Sequence, residues 1–416
     1  MPPDSCMPDG PAHDVERVRA DFPVLAREVH GRPLVYLDSA ASAQKPQSVI
    51  DAVNRCYAEE YANVHRGLHY LSEALTDRFE AARRRVAAFI NAPEEREVIF
   101  TRGATEGINL VASGFGRAFL KAGDEIVLTE MEHHSNIVPW QLLETERGVR
   151  IRVAPVADDG SLSAEAVADC LTARTKLVAV THVSNTLGTV VPVGDIIAKA
   201  HAAGVPVLVD GCQAAPHQEI DVQALGADFY TFSGHKVYGP SGVGVLYGRA
   251  EYLEAMPPYH GGGEMIREVS FRGTTFASIP HKFEAGTPPI AQVIGLHPAL
   301  DYVAALGLDT IAAHERRLLA RATAALDAMA GVTIIGRAPE KAGILSFVVD
   351  GAHASDIGTL VDKLGVAIRT GHHCTQPLME RFGVPATARA SFGLYNNDTD
   401  VDRFTEAVDR VRRMFG

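Results

Sequence analysis

The chain has 416 residues, of which 46% are hydrophobic and 22% are charged, an ordinary composition for a globular protein of two or three domains. Its formal net charge of −12 argues against a nucleic-acid-binding protein. The run Arg83-Arg84-Arg85 is expected to lie on a solvated helix face. Because no apolar run approaches membrane-spanning length and the N-terminus lacks the pattern of a signal peptide, we expect a cytoplasmic protein without a membrane partner.

The cysteines are odd in number and lack the paired spacing of a zinc ribbon: Cys6, Cys56, Cys170, Cys212 and Cys374. The sequence therefore predicts no disulfide framework, and a reducing compartment suits a free thiol. His133-His134 and His372-His373-Cys374 raise the question of a metal site. Adjacent side chains on an extended chain point to opposite sides, and a site needs three or four converging ligands, so we expect no metal.

The first part of the chain predicts a tail followed by short elements. Residues 1–13 are polar and contain proline, which is typical of a disordered tail. Apolar periodicity then predicts a helix from Val15 to Ala20, a strand from Leu34 to Leu37 and a helix from Gln47 to Ala62. In the polar loop that follows, His65 suits the wall of a site or a hydrogen-bonded structural role equally well.

Strands and helices then alternate, which predicts a mostly parallel sheet with helices on both faces. The predicted strands are Glu97 to Phe100, Glu125 to Thr129, Val149 to Val153, Leu177 to Thr181, Val207 to Asp210, Asp228 to Phe232 and Ser241 to Tyr247. The predicted helices are Ser72 to Asn91, one after Gly107, one after Asn136, one from Ser163 and Ile196 to Ala203.

The turn Thr101-Arg-Gly-Ala-Thr-Glu-Gly107 between a strand and a helix favours a phosphate group. Free N–H groups at the helix start would converge where Gly103 allows a close approach, and Thr105 adds a hydroxyl. This signal is weak by itself, because many α/β proteins have such a turn with nothing bound. It is not a P-loop, which would end in Gly-Lys-Ser/Thr.

Lys236 and Asp210 are the strongest candidates for chemistry. Lys236 follows a predicted strand on a loop bounded by Ser233-Gly234 and Gly239-Pro240, and a lysine held partly out of water can form a Schiff base with pyridoxal phosphate. Asp210 ends a buried strand, where a carboxylate suits the pyridinium nitrogen of the same cofactor. The alternatives are a surface lysine in a turn and a helix N-cap aspartate.

Asp210-Gly-Cys-Gln213 and Ser233-Gly-His-Lys236 with Gly239-Pro240 resemble the fold-type I, class V aminotransferase superfamily, specifically the group II cysteine desulfurases of the SUF system for iron–sulfur cluster assembly. The resemblance runs from about Val15 to the C-terminus through Leu37-Asp-Ser-Ala-Ala-Ser-Ala-Gln-Lys-Pro46, Val64-His-Arg-Gly67, Thr105-Glu-Gly-Ile-Asn109, Glu132-His-His-Ser-Asn136, Phe283-Glu-Ala-Gly-Thr-Pro288 and Arg369-Thr-Gly-His-His-Cys374. The last motif is the most discriminating, because the superfamily's other reactions need no cysteine there.

The resemblance implies an α/β protein of fold-type I with pyridoxal 5′-phosphate as cofactor. A large cofactor-binding domain would span 14–305, with a mostly parallel sheet flanked by helices and its first residues packed on the small domain. A small C-terminal α/β domain, 306–416, would carry the cysteine loop. Within it we predict strands near Thr333 to Ile335, Ile344 to Val349 and Ala367 to Arg369 and a final helix ending at Phe415. Residues 261–275 are predicted to be a flexible segment with a function.

The resemblance also implies roles for site residues. Lys236 would hold the cofactor and act as base, Cys374 would accept sulfur as a persulfide, and His133 would lie against the cofactor ring and move protons. The other implied cofactor contacts are Asp210 at the ring nitrogen, Gln213 and Asn185 at the phenolic oxygen, Ala104, Thr105, Ser233 and His235 at the phosphate, and Thr287 at the phosphate of a second subunit. The implied substrate contacts are Arg389 at the carboxylate, Asn185, His65 and Ala40.

The implied reaction converts L-cysteine to L-alanine in a homodimer and passes the persulfide to a SufE-like or SufU-like acceptor and so to the SUF scaffold. Arg369, His372 and His373 would favour the thiolate of Cys374 if they face it, although the glycine-rich loop also allows them to point away. A selenocysteine lyase would use the same residues, whereas an aminotransferase or epimerase of the superfamily would not need Cys374. A non-catalytic sulfur carrier would have no use for Lys236 and Asp210 at strand ends.

Overall fold

The structure is a computed structural model that describes residues 13–415. The predicted tail, apart from His13, and Cys6 lie outside the described residues. The first described helix, Val15–Ala20, agrees with the sequence prediction, and Asp14 caps it by accepting a hydrogen bond from Arg17 N.

The helices and strands, numbered in chain order, cover most of the described chain. The α-helices are α1 Val15–Ala20, α2 Gln47–Arg55, α3 Tyr70–Phe89, α4 Ala104–Phe119, α5 Val138–Arg147, α6 Ala164–Ala168, α7 Val193–Ala202, α8 Val222–Leu225, α9 Ala250–Ala255, α10 Ile290–Leu306, α11 Leu308–Asp327, α12 Ala354–Asp362, α13 Gln376–Arg381 and α14 Asp398–Arg412. The strands are β1 Glu28–Val29, β2 Arg32–Pro33, β3 Val35–Tyr36, β4 Val98–Thr101, β5 Glu125–Thr129, β6 Arg150–Ala154, β7 Thr175–Thr181, β8 Val207–Asp210, β9 Phe229–Ser233, β10 Gly244–Gly248, β11 Ile266–Ser270, β12 Gly273–Phe276, β13 Val332–Ile335, β14 Ile344–Val349, β15 Val366–Ala367, β16 Arg369–Gly371 and β17 Thr387–Ser391.

The main sheet has seven strands in the order β4-β10-β9-β8-β7-β5-β6. Strand β10 runs antiparallel to both of its neighbours, and the other six strands are parallel to one another. Its central strands are buried along their whole length, as in a sheet covered by helices on both faces. The predicted mostly parallel α/β sheet is therefore confirmed. The strand order places the carboxyl ends of β7, β8 and β9 side by side.

A second, antiparallel sheet has the order β13-β14-β17-β16 and packs against α11, α12 and α14. Its core contains Phe347 and Phe404, whose rings meet edge to face at 5.9 Å. The N-terminal segment joins this unit, because β3 pairs in parallel with β15 and Val35 lies opposite Val366. Arg389 of β17 donates to Asn185 O just beyond the end of β7, so the second sheet faces the carboxyl edge of the first.

Several local predictions were wrong. Residues 266–276 form the hairpin β11–β12, for which the sequence predicted no strands. The helix predicted from Gln47 to Ala62 ends its α-helical part at Arg55 and continues as one π-helical turn, Cys56–Glu60. Arg83 is 1% exposed rather than on a solvated face, because Glu284 and Glu80 pair with its guanidinium. No single helix within 13–415 is long and apolar enough to cross a membrane, and the consecutive helices α10 and α11, which pass that test only together, meet at 74°.

Candidate active site

A cavity of about 280 Å³ lies between the carboxyl edge of the main sheet and the second sheet. It brings together most of the predicted site residues: Ala40, Ala104, Thr105, His133, Asn185, Asp210, Gln213, Ser233, His235, Lys236, Cys374 and Arg389. Sequence reasoning assigned no role to several further lining residues: Ala41, Ser135, Thr181, Val183 and Cys212. For two of them the position in the sequence could have indicated a role, because Thr181 ends a buried strand and Cys212 follows the end of another by two residues.

Lys236 reaches the cavity from a single 3₁₀ turn that follows β9 directly. This turn requires Gly234, because a Cβ there would lie 2.8 Å from Val243 Cγ1 and 3.1 Å from the Val243 carbonyl oxygen. Lys45 Nζ donates to the carbonyl oxygen of His235 at 3.1 Å, and burial lowers the pKa of Lys45 to about 8. The backbone beside Lys236 is therefore held by a second, buried amine.

Asp210 ends β8 beside Lys236 and is 4% exposed. Its Oδ1 accepts a hydrogen bond from Cys212 N at 3.0 Å, which fixes the carboxylate at the cavity wall. Burial and the charge of Asp210 raise the pKa of the neighbouring Cys212 to about 12, so this thiol stays protonated at neutral pH.

The start of α4 forms one end of the cavity. Its N-cap residue, Gly103, offers no side-chain cap, and Ala104 N donates to Ser233 Oγ at 2.9 Å. Gly244 of β10 must be glycine, because a Cβ there would lie 2.4 Å from Gly103 Cα. Thr105 and His235 line the same cavity, so the positive end of the α4 dipole, the hydroxyls of Ser233 and Thr105 and an imidazole border it together.

The His133 imidazole is neutral at pH 7. Burial lowers its pKa to about 4, and the positive charge of Lys236 adds to the effect. Its Nδ1 accepts the backbone N–H of Ser135 at 3.1 Å, so the ring proton sits on Nε2. His133 therefore offers a hydrogen-bond donor, not a fixed positive charge.

Gln213 and Arg389 each carry a buried polar atom without a hydrogen-bond partner in the described part of the chain, Gln213 Oε1 and Arg389 Nε. Gln213 Nε2 donates to Ala40 O at 2.6 Å, which fixes the orientation of its amide. Arg389 is 2% exposed, and it donates through a terminal nitrogen to Asn185 O at 2.6 Å. Burial lowers the pKa of Arg389 to about 10, so the guanidinium remains charged at neutral pH.

Cys374 is exposed and lines the same cavity as Lys236, on the loop between β16 and α13. The expected set of cations around its thiol is only partly present. Burial lowers the pKa of His373 to about 3, helped by the charge of Arg389, so that ring is neutral. Arg369 is charged, but it pairs with Asp38 at 2.9 Å.

Two predicted residues lie outside this cavity. His65 Nε2 bonds to Glu80 Oε1 at 2.8 Å, and its ring packs edge to face on Phe79. Thr287 borders a second cavity of about 390 Å³, together with Arg102, Glu106, Tyr259 and His260. Among residues 13–415, no group of three or more His, Cys, Asp or Glu side chains is arranged to hold a metal ion.

The cavity fits pyridoxal 5′-phosphate in three respects. The uncapped start of α4 suits the phosphate, and the carboxylate of Asp210 suits the ring nitrogen. The buried Gln213 Oε1 and Arg389 Nε call for polar partners that the described residues do not supply, as expected where a cofactor and a substrate bind.

Comparison with known proteins gives the same result. Residues 35–404 match the class-V aminotransferase family. The chain is 53% identical over 405 residues to a cysteine desulfurase of Dickeya dadantii (strain 3937), with 97% of this chain and 98% of that protein covered. It is 54% identical over 403 residues to a cysteine desulfurase of Yersinia pestis (strain Pestoides F), with 97% and 99% covered.

Solved structures show the same likeness over the whole fold. The cysteine desulfurase CsdA of Escherichia coli, in its S-sulfonic acid form, superimposes with a TM-score of 0.90 at 41% identity, covering 97% of this chain and 99% of that one. The apo cysteine desulfurase of Thermococcus onnurineus NA1 gives 0.91 at 38% identity, with 96% and 98% covered. The chain therefore belongs to the class-V aminotransferase family of enzymes.

Proposed function

We propose that this chain is a cysteine desulfurase, which takes the sulfur of L-cysteine onto Cys374 as a persulfide and releases L-alanine. The observation that carries the proposal is that the exposed Cys374 thiol lines the same cavity as Lys236 and Arg389. The second cavity cysteine, Cys212, is buried and its pKa is raised, so it is a poor nucleophile. The relatives described above carry the same activity in their names.

When bound, pyridoxal 5′-phosphate supplies an electron sink for chemistry at the α-carbon of an amino acid. In the proposed site, Lys236 would hold the cofactor through Nζ, and the same amine, once the substrate amine displaces it, would be the base that removes the α-proton. Asp210 would pair with the cofactor's ring nitrogen, and His133 would lie against the ring. Gln213 and Asn185 would contact the phenolic oxygen. The start of α4, through Ala104 and Thr105, would hold the phosphate together with Ser233 and His235.

Substrate binding depends on Arg389, with Asn185 and Ala40 as further contacts, whereas His65 lies outside this cavity and bonds to Glu80. A guanidinium presents two parallel donors to a carboxylate, and Arg389 Nε is buried and without a partner among the described residues. A buried cation facing the cavity favours an α-amino acid over an amine that lacks the carboxylate.

The sulfur step needs one thiolate and one proton donor. Cys374 Sγ, as the thiolate, attacks the substrate sulfur, so that an S–S bond forms as the substrate C–S bond breaks. The electron pair of the broken bond goes to the substrate carbon, which takes up a proton and leaves as L-alanine. His133, neutral with its proton on Nε2, is placed at the cavity wall to exchange a proton with the reacting groups.

We further assign the chain to the group II, SUF-system cysteine desulfurases, on the motif that ends at Cys374. The exposed position of that thiol supports transfer of the persulfide to an acceptor, SufE-like or SufU-like, and through it to iron–sulfur cluster assembly. A selenocysteine lyase would use the same residues, so the relative turnover of L-cysteine and L-selenocysteine separates the two activities. The four described cysteines are free, which supports a cytoplasmic location.

We propose a homodimer in which Thr287 reaches the cofactor phosphate of the other subunit. Support comes from large apolar side chains that a single chain leaves exposed on the segment before and at the start of α3 and on the hairpin β11–β12: Tyr57, Tyr61, Leu68, Tyr70, Leu71, Val269, Phe271 and Phe276.

The proposed function is tested by replacing Cys374 with alanine. Cys374→Ala removes the sulfur acceptor and leaves Lys236, Asp210 and the phosphate end in place, so the cofactor should still bind and its absorbance should still change with L-cysteine. Alanine and transferable sulfur should fall to near background, because only the steps that need the nucleophile are blocked. Cys170→Ala, on the far edge of the main sheet, is the matched control and should keep wild-type turnover. Unchanged alanine formation by Cys374→Ala would falsify the persulfide mechanism and favour a lyase or an aminotransferase.

A further inference from the structure

The loop that carries Cys374 adopts an unfavourable backbone conformation. His373 and Cys374 are consecutive non-glycine residues with φ of +52° and +59°, in the left-handed region. Side chains with a Cβ rarely adopt this conformation, and it persists only where surrounding contacts impose it. The contacts that impose it on this loop therefore also decide where the thiol points.

Two of these contacts come from His134, which follows the cofactor-facing His133. The backbone N–H of His134 donates to Cys374 O at 2.7 Å. Its ring Nε2 accepts the backbone N–H of Gln376, the first residue of α13, at 3.0 Å. One residue at the carboxyl edge of the main sheet thus holds the backbone on both sides of Thr375.

Further contacts come from the segment after β7. Asn185 Nδ2 donates to His373 O at 2.7 Å. The hydroxyls of Thr186 and Thr375 lie 2.8 Å apart. Residues 373–376 are therefore each bonded to the main sheet's loops. The ring of His134 is a side-chain contact, so a substitution can remove it while the backbone N–H of His134 still donates to Cys374 O.

The bond to Gln376 fixes the state of the His134 ring. An imidazole nitrogen that accepts a backbone N–H carries no proton, so Nδ1 holds the ring's single proton. Burial lowers the pKa of His134, and the charge of His372 acts in the same direction. The ring of His133 is neutral, and its centroid lies 6.3 Å from the centroid of the His134 ring.

We propose that His134 is a positioning residue for the sulfur step: its ring fixes the start of α13 and thereby the direction in which Cys374 presents its thiol. The proposal rests on the proposed function, in which Cys374 accepts the substrate sulfur. His134 does not line the cavity and acts through the loop alone.

Variants at position 134 separate the ring acceptor from the rest of the residue. His134→Leu keeps the backbone N–H and removes the acceptor. His134→Gln places an amide oxygen near the position of Nε2, and His134→Asn is polar but too short to reach Gln376. His353→Leu is the matched control, because His353 Nδ1 likewise accepts a backbone N–H, from Ser355 at 3.3 Å, at the exposed start of α12.

We expect His134→Leu and His134→Asn to lower kcat for alanine formation by about 10–100-fold with little change in KM, since small misplacements of a reacting group cost up to about 10²-fold. The kcat of His134→Gln should stay within about 3-fold of the wild-type value, because its amide oxygen can still accept the Gln376 N–H. His353→Leu should behave as wild type.

The same variants have a readout that does not depend on turnover. Hydrogen exchange at the Gln376 amide and the rate of Cys374 alkylation by iodoacetamide should rise in His134→Leu and His134→Asn, but not in His134→Gln or His353→Leu. Cofactor absorbance and thermal unfolding check that each protein is folded, and if the leucine variant does not fold, the glutamine and asparagine pair gives the comparison.

Equal losses in the glutamine and asparagine variants, or an unchanged Gln376 amide in His134→Leu, would overturn the proposal. Failure of the proposed function looks different. In that case Cys374→Ala keeps forming alanine, while the exchange and alkylation data still report on the contact between His134 and the loop.

Discussion

Arg389 offers the most direct test of substrate recognition, because its guanidinium is buried, charged and only partly bonded. One terminal nitrogen donates to Asn185 O at 2.6 Å, and the other lies 3.4 Å from Asp38 Oδ1. Its Nε has no partner among the described residues. A substrate carboxylate would satisfy this donor together with a free N–H of a terminal nitrogen.

The size of the effect follows from the hydrogen bonds at stake. A hydrogen bond to a charged group contributes about 1.5–3 kcal/mol, and lysine, a point charge without a fork, replaces two such bonds with one. Since about 1.4 kcal/mol is a factor of ten, Arg389→Lys should weaken carboxylate recognition by about 10–100-fold.

The assay compares L-alanine with ethylamine, which has no carboxylate, by titrating the cofactor's absorbance. In Arg389→Lys, the ratio of L-alanine affinity to ethylamine affinity should fall by about 10–100-fold, while the affinity for ethylamine stays the same. Arg317→Lys, whose partner Asp398 lies on the surface, is the matched control. An unchanged preference, or an equal loss for both ligands, would refute the assignment of Arg389 to the carboxylate.

Three further predictions concern the cofactor, acid stability and assembly. Borohydride reduction should fix the pyridoxyl group on Lys236, and Lys236→Ala should abolish turnover; a reduced group mapped to another lysine by peptide mass spectrometry would contradict this. Burial alone would raise the pKa of Glu80, but hydrogen bonds from His65 and Arg83 outweigh it and lower that pKa to about 2. Wild type should therefore exceed Glu80→Gln in unfolding free energy by about 3 kcal/mol at pH 6, and this margin should vanish as the pH falls from about 4.5 to 2 in urea titrations; a constant margin would argue against the ion pair. Sedimentation should show a homodimer whose activity depends on Thr287, and a fully active monomer would disprove this arrangement.

The main sheet and the centre of the site could be predicted because their signals are local. Val207–Asp210 is an unbroken apolar run that ends in a carboxylate, and the observed β8 has the same bounds. Parallel strands end at one edge of a sheet, so residues that follow different strands, such as Asp210 and Lys236, were expected to meet. The structure places both at one cavity.

The strand that carries Arg389 was not predicted. Thr387–Ser391 is buried at every position, and Ala388 and Ala390 alternate with polar residues, but the stretch Thr-Ala-Arg-Ala-Ser is short and lacks the bulky apolar residues of a typical strand. The hairpin β11–β12 was missed for the opposite reason, because its residues are exposed on both faces and show no apolar periodicity.

Arg83 shows a limit of local reasoning about charge. Its sequence neighbours, Arg84 and Arg85, suggest a solvated run, yet Arg83 pairs with Glu284, which lies 201 positions away. The rings of Phe79 and Phe100 flank its guanidinium at 5.6 and 4.7 Å. A partner so distant in the chain leaves no trace in the local pattern, and only the fold shows that the pair is buried.

The central claim is that sulfur from L-cysteine passes through Cys374, and the direct measurement is the mass of that residue during turnover. The holoenzyme is mixed with L-cysteine, quenched by alkylation and digested, and each cysteine peptide is weighed. The account predicts one additional sulfur atom on the peptide that contains Cys374 and none on those that contain Cys56, Cys170 or Cys212. Alanine formed with no added sulfur on Cys374, or with the sulfur on another cysteine, would contradict it.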